Sequence, residues 1–143
     1  MTVFLHRPLK NPLNGSWGNH YKHARIARTW RELTAAAFLV EWINAGRPPR
    51  NPMAPKTVTF TAHVGVLWDS DEGINAACKP IRDGVVDAGW IHSDGPKSGH
   101  TFRYGQVLDR KHRGVEIAVV PSPTFGGQPI TFADVARISS DGP

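Results

Sequence analysis

The clearest strand signal in the chain is Lys56-Thr-Val-Thr-Phe-Thr-Ala-His-Val-Gly-Val-Leu-Trp68. This segment is rich in β-branched and aromatic residues, and it partly alternates between apolar and polar positions, as strands do. The segments Thr101 to Val107 and Gly114 to Val120 have the same character. Val3-Phe4-Leu5 is consistent with one further, brief strand that ends before Pro8. Together these segments predict a small β-sheet.

Helical periodicity lies between the strands. From Tyr21 to Ala45 there is no proline or glycine, and apolar residues recur every three or four positions, which predicts an amphipathic helix of up to about 24 residues that stops at Gly46. A second helical face runs from Ile74 to Ala88, with one proline and one glycine inside it. The predicted fold is α/β (α+β): one domain in which a mixed sheet packs against two main helices.

Chain length also favours a single domain, since 143 residues is close to the usual domain size. We expect a domain over residues 1–120 and a C-terminal tail over residues 121–143 that is rich in proline, glycine and serine. Within that tail only Ile130 to Ile138 has the pattern of a short helix. We expect the tail to pack weakly or to be disordered.

Charge is distributed unevenly along the chain. The formal net charge is +5, but residues 1–50 carry eight basic and two acidic side chains, whereas residues 51–143 carry nine basic and ten acidic ones. A basic half joined to a balanced half favours a polyanion as the partner, with the carboxylates kept for another purpose.

Several protein classes are excluded at this point. No apolar run approaches the roughly 18 to 20 residues that span a bilayer. The N-terminus lacks the basic and apolar regions of a secretory signal. The single cysteine, Cys78, cannot form an internal disulfide. We therefore expect a soluble protein of a reducing cytoplasm with no membrane partner.

Two carboxylates stand close together in Trp68-Asp-Ser-Asp-Glu72, directly after the strongest strand signal. If the chain is extended here, Asp69 and Asp71 point to the same side. Two like charges at that distance repel each other unless a cation lies between them, and Mg²⁺ binds such oxygen ligands. The alternative is an acidic turn that leaves the strand and caps the helix near Ile74.

Lys79, Asp83 and Asp87 are spaced four apart on the second predicted helix. This spacing predicts either an ordinary ladder of ion pairs or a lysine that holds a scissile phosphate. Asp94 precedes Gly95-Pro96 and by itself is typical of a turn.

Histidines and aromatic residues add little to the functional prediction. His20 and His23 are three apart, but the sequence lacks the further ligands of a structural zinc site nearby. His92 and His100 flank Asp94 and could approach a phosphate. Trp17, in a glycine-rich loop, is the aromatic residue best suited to stack on a base.

Taken in order, Asp69-x-Asp71, Lys79, Asp83, Ala88-Gly89 and Asp94 resemble the signature of the RusA family of Holliday junction resolvases. The segment Leu13-Asn-Gly-Ser-Trp-Gly-Asn19 and the basic helix after it are similar to forms carried by phages and prophages. The resemblance covers roughly residues 1–120.

The resemblance implies a site, a cofactor and a partner. The residues that match the family's metal-binding carboxylates are Asp69, Asp71 and Asp94, and they would bind Mg²⁺ or Mn²⁺. Lys79 matches the family's essential lysine, and Asp83 matches a supporting aspartate. Glu72 replaces the family's asparagine and is a candidate extra ligand. Family members act as homodimers on four-way DNA junctions, and a two-fold protein suits a two-fold substrate.

The expected function is therefore that of a metal-dependent endodeoxyribonuclease that resolves Holliday junctions in DNA recombination and repair, in the cytoplasm of a bacterial host. The residues expected to hold the DNA backbones are Lys22, Arg25, Arg28, Arg31, Arg110, Lys111 and Arg113. One alternative is a non-catalytic protein that binds branched DNA. It is favoured by Ser93 at the first position of the family's paired acids and by the displaced Asn75. Another is a nuclease that acts on flaps or replication forks.

Overall fold

The computed structural model describes residues 1–12, 18–125 and 128–129. Its main sheet has four strands: β1 (Thr2–Leu5), β2 (Lys56–Val64), β3 (Thr101–Leu108) and β4 (Gly114–Pro121). Its helices are α1 (His20–Asn44), α2 (Asp71–Ala77) and α3 (Lys79–Asp87). The strand order is β1-β4-β2-β3, with β2 and β3 parallel and the other neighbours antiparallel. The predicted mixed α+β domain is confirmed.

Strand β2 is central because it pairs with β3 on one side and β4 on the other. Every second residue of β2 is buried, and Val58, Phe60 and Ala62 are completely covered. The prediction that this strand continues to Trp68 is wrong, since it ends at Val64. Its partner β4 begins opposite His63, so no neighbour remains to pair with residues further along.

Helix α1 confirms the prediction from periodicity to within one residue at each end. The side chain of Asn19 caps its first turn by accepting a hydrogen bond from the backbone N–H of Lys22 at 3.1 Å. Trp30, Thr34 and Phe38 are buried at four-residue spacing and form the face that packs on the core.

The prediction of one helix from Ile74 to Ala88 is wrong, because the segment forms two helices, α2 and α3, with a break at Cys78. Pro80 lies directly after the break, near the start of α3, where its missing N–H costs least. In a continuous helix its ring would clash with the preceding turn. Cys78 is fully buried, and this burial raises the pKa of its thiol to about 12.

Helices α1 and α3 approach each other closely at Gly84. A Cβ atom on Gly84 would lie 2.6 Å from the Cβ of Thr34 and 2.7 Å from the carbonyl oxygen of Arg31. One turn further along α3, Asp87 accepts two hydrogen bonds from the Arg31 guanidinium. The two helices are thus held in backbone contact at one point and by an ion pair beside it.

The predicted tail begins where β4 ends. Thr124–Phe125 (β5) pairs with Gln128–Pro129 (β6) in a separate two-stranded ladder. The predicted short helix at Ile130 to Ile138 lies outside the described residues, and the boundary at residue 120 stays a prediction. Within the described ranges, no helix is both long enough and apolar enough to cross a bilayer.

Candidate active site

The C-terminal ends of β2 and β3 lie side by side. The segment that carries Asp69 follows β2, and the basic turn that leads to β4 follows β3. Val64 at the end of β2 is opposite Leu108 at the end of β3, and the start of β4 lies on the other side of β2, opposite His63. Arg110 donates from Nε to the carbonyl oxygen of Gly65 at 3.1 Å. The basic turn is therefore held against the chain that leads to Asp69.

Gln106 fixes the backbone just before Asp69. Its Oε1 accepts from the Trp68 N–H at 2.7 Å, and its Nε2 donates to the Trp68 carbonyl at 2.9 Å. The side-chain amide thus provides the two hydrogen bonds that a neighbouring strand would otherwise make. The sequence analysis did not identify this residue, since the contact depends on the parallel register of β2 and β3.

The two acids after β2 do not lie on an extended strand. Asp69 is in a bend, whereas Asp71 and Glu72 form the first turn of α2, and all three side chains are exposed. The prediction that Asp69 and Asp71 share one side of a strand is wrong, because the strand ends five residues before Asp69. As in the alternative, the acidic segment leads into a helix, but no side chain caps its first turn. Acids in a first turn are favoured there by the helix dipole.

Lys79, at the start of α3, is held by two carboxylates. Its Nζ is 2.7 Å from Oδ2 of Asp94 and 2.9 Å from Oδ1 of Asp83. The hydrogen bond to Asp94 raises the pKa of Lys79 above its usual value. Asp83 is the partner expected from i,i+4 spacing. Asp94 comes from the loop after α3, and its contact with Lys79 was not predicted from spacing.

Asp94 is the most enclosed of the predicted acids, with a side chain 20% exposed. Burial alone would raise its pKa, but hydrogen bonds and charges from Lys79 and Arg82 outweigh burial and lower it. Both cations contact Oδ2, at 2.7 Å and 3.4 Å. Asp94 is therefore a carboxylate anchored through one oxygen.

Arg82 connects three parts of the molecule, although sequence reasoning did not single it out. Besides Asp94, its guanidinium donates to the side chain of Asn75 on α2 at 2.9 Å and to the Tyr104 hydroxyl on β3 at 2.6 Å. Its position three residues after Lys79 on one helix face was the available signal. Because Asn75 is bound by Arg82, its side chain belongs to this network.

Metal ligation by the predicted acids can be judged from the chemistry of the donors. In residues 1–12, 18–125 and 128–129, no group of three or more histidine, cysteine, aspartate or glutamate side chains is arranged to hold a metal ion. Asp69 and Asp71 nonetheless offer hard carboxylate oxygens. Mg²⁺ commonly takes only one or two such ligands and keeps its waters and a substrate phosphate. The donor type fits, and the site stays a prediction.

The basic residues predicted to contact DNA fall into two groups. Lys22, Arg25 and Arg28 are exposed on α1, at three-residue spacing that puts them on one side of the helix. Arg31 is instead bound to Asp87 through both ends of its guanidinium. In the turn after β3, the exposed side chains are Arg110, Lys111 and Arg113.

The loop that carries Asp94 is tied to the proline-rich segment before β2. The Nζ of Lys56 donates to the carbonyl oxygens of Arg50, Asn51 and Trp90, all within 2.6 Å. Nδ1 of His92 and Nε2 of His100 are 3.1 Å apart, and Nδ1 of His100 accepts from the Lys56 N–H. His92 and His100 thus have structural partners here.

Trp17, the residue predicted to stack on a base, lies outside the described residues. In comparisons with known proteins, neither a protein-family model nor a curated protein matches the chain. Assignment to the RusA family therefore rests on the sequence motif and stays a prediction.

Proposed function

We propose that this protein is a metal-dependent, structure-selective endodeoxyribonuclease of the RusA type that resolves four-way DNA junctions by paired hydrolysis of phosphodiester bonds. The observation that carries the proposal is the ammonium group of Lys79, held between Asp83 and Asp94. A fixed positive charge stabilises the charge that develops on a phosphoryl group under attack. An ordinary surface ladder would need only Asp83, whereas Asp94 is brought in from a separate loop.

In the proposed reaction, a water molecule gives up a proton to solvent as its oxygen attacks phosphorus, the bond from phosphorus to the leaving sugar oxygen breaks, and that oxygen takes up a proton from solvent. Asp69, Asp71 and Asp94 would hold Mg²⁺ or Mn²⁺, with Glu72 as a supporting carboxylate. Such an ion would polarise the phosphodiester and activate the water. Lys79 donates to a non-bridging phosphate oxygen, and Asp83 keeps its ammonium group in place.

The substrate backbones are bound by the basic side of α1 and by the basic turn after β3. Contacts of this kind recognise the shape and charge of DNA rather than its sequence. The proposed setting is the cytoplasm of a bacterial host, for a protein encoded by a phage or prophage. Cys78 is buried and unpaired, which is compatible with a reducing compartment.

A second copy of the chain completes the proposal, because one copy offers one site and symmetrical resolution needs two. Support comes from the solvent side of α1, whose C-terminal half exposes apolar residues at alternating three- and four-residue spacing: Leu33, Ala36, Val40 and Ile43. This spacing is typical of helix pairing. Sedimentation of a Val40→Glu variant is expected to show monomers under conditions where the wild type is dimeric.

The proposal is tested with a synthetic four-way junction and Mg²⁺ or Mn²⁺. The wild type should cut two opposed strands, and Asp71→Asn should bind the junction but cut it at least about 100-fold more slowly. Glu41→Gln is the matched control, because Glu41 is an exposed acid on α1 and lies outside the cluster. A wild type that binds the junction and leaves it intact would refute the nuclease.

A non-catalytic protein that holds branched DNA is the second candidate. It is favoured by the pairing of Asp94 with Lys79 and Arg82, since these cations already satisfy the oxygen they contact. Calorimetric titration with Mn²⁺ separates the two functions. A nuclease should bind the ion, and Asp69→Asn should weaken that binding, whereas a holding protein should bind none.

A further inference from the structure

An open recess lies between α1 and the start of α3, directly beside Lys79. It has a volume of about 410 Å³, which is in the size range of small-ligand sites. The wall from α1 contains His20, Ala24 and Ala27, which share one face of that helix. The opposite wall contains Ala76 and Pro80. Since these walls are built mostly from alanine and proline, their side chains are too short to close the gap.

The recess combines apolar walls with one ammonium group, that of Lys79, at its rim. Alanine and proline offer surface to stack against, and the His20 ring is a further stacking partner for a base. Lys79 lines the same recess, and its ammonium group is fixed by Asp83 and Asp94. An open apolar surface beside an ammonium group suits a planar ring joined to an anion.

We propose that the recess between α1 and α3 receives one nucleobase from the branch point of branched DNA, next to the phosphate held by Lys79. This inference rests on the proposed function and adds to it how the branch point is recognised. The exposed cations on α1, Lys22, Arg25 and Arg28, supply the charge that attracts the DNA backbone. Taking a base out of a duplex costs unpairing and unstacking energy, and this cost is lower at a branch point, where stacking is interrupted, so the recess favours branched over linear DNA.

A second groove at the other end of the same helix pair provides a control. It is lined by Ala35, Leu39 and Trp42 of α1, by Asp87 and Ala88 at the end of α3, and by Arg50. Asp87 is bound by the Arg31 guanidinium, and the Arg50 guanidinium lies over the Trp42 ring, 4.4 Å from its centroid. This groove is also largely apolar, but Lys79 does not line it. The chain therefore offers a second apolar groove, away from Lys79, in which to place a control substitution.

The test measures binding to a four-way junction and to the same junction with a single tetrahydrofuran abasic nucleotide at each branch position in turn, in EDTA and at fixed salt. The wild type should bind at least one abasic junction about tenfold more weakly than the intact one. Ala24→Leu fills the recess and should bind all junctions alike, at the weaker affinity. Ala35→Leu fills the other groove and should retain the wild-type discrimination.

His20→Ala provides a second variant that removes one aromatic ring from the α1 wall without filling the recess, and it should reduce the discrimination. Circular dichroism checks that each variant is folded. If the wild type binds every abasic junction as tightly as the intact one, or if both Ala24→Leu and His20→Ala retain full discrimination, the recess is not a base site. In either case, preference for the junction over linear duplex leaves the proposed function standing, and loss of that preference removes both.

Discussion

The acids of the candidate site are held in two different ways. Asp94 is partly buried and bound by Lys79 and Arg82, whereas Asp69 and Asp71 are exposed on the segment that leads into α2. Folding alone therefore orders one side of the site. On the other side, Gln106 fixes the backbone before Asp69 and α2 carries Asp71, but both of these acidic side chains are exposed to solvent. A cation bound there would offset the repulsion between the two carboxylates. We therefore expect the ordering of the Asp69 and Asp71 side chains to depend on metal, whereas the ordering of Asp94 should not.

The largest effect is expected from Lys79→Met, which removes the charge at the centre of the ordered side. Cleavage of a four-way junction should fall at least about 100-fold, because the charge that stabilises the transition state is lost. The unfolding free energy should change by no more than about 1 kcal/mol, since the side chain of Lys79 is 53% exposed. Lys97→Met, an exposed lysine in the loop that carries Asp94, should cut normally. Equal cleavage by both variants would contradict the role of Lys79.

Next in size is the effect of Arg82→Met on stability. The side chain of Arg82 is 14% exposed, and its loss leaves Asp94, Asn75 and Tyr104 without a shared donor. Urea unfolding should show a loss of about 3 kcal/mol, the scale for breaking a largely buried charge network. Arg103→Met on β3 removes an exposed guanidinium and should cost little. A loss below about 1 kcal/mol would show that the ordered side does not depend on Arg82.

A smaller effect is expected at the amide of Gln106. Gln106→Leu removes two hydrogen bonds to Trp68 and should cost about 1–2 kcal/mol in thermal or urea unfolding. Gln106→Glu retains an acceptor for the Trp68 N–H but turns a carboxylate oxygen toward the Trp68 carbonyl, which repels it, so this variant should be at least as destabilised as the leucine variant. The same order is expected for junction cleavage. If stability falls without any change in cleavage, the amide supports the fold and does not position Asp69.

The smallest effect is a dependence of stability on pH through His100. Burial, and then the nearby charges of His92 and Lys56, lower the pKa of His100 in the folded protein. The unfolded chain then takes up this proton at a higher pH than the folded protein does. Stability is therefore lost as pH falls through the ordinary histidine range toward the folded pKa. His100→Gln should flatten the curve of unfolding free energy against pH, by less than about 1.4 kcal/mol per pH unit, the limit for one proton. An unchanged slope would contradict the assignment.

Local pattern was enough to predict α1 and the core of β2, because each depends on a periodic apolar face. It was not enough for the break at Cys78, where the backbone chemistry of Pro80 outweighs a helical pattern that continues across it. The contacts of the candidate site also fall into two kinds, those that local spacing predicts and those that it does not. The pair of Lys79 and Asp83 follows from spacing along one helix, as the fold confirms.

The remaining contacts join residues that are distant in the chain. Arg82 reaches Tyr104 across 22 positions, and Gln106 reaches Trp68 across 38. Such contacts depend on how the helices lie on the sheet and on the register of β2 with β3, and neither can be deduced from periodicity. The family motif did identify Asp94 as a companion of Lys79, and the fold brings these two side chains together.

Gly84 sets the distance between two parts of the proposed DNA-binding surface. Because the backbone of α3 touches Thr34 and the Arg31 carbonyl at this point, the separation of the two helices is set by an absent methyl group rather than by adaptable side chains. The distance from the cations on α1 to Lys79 is then fixed by contact between the two helices. Gly84→Ala would widen that span without altering a single charged residue, so the fit to DNA would change while the chemistry stayed the same.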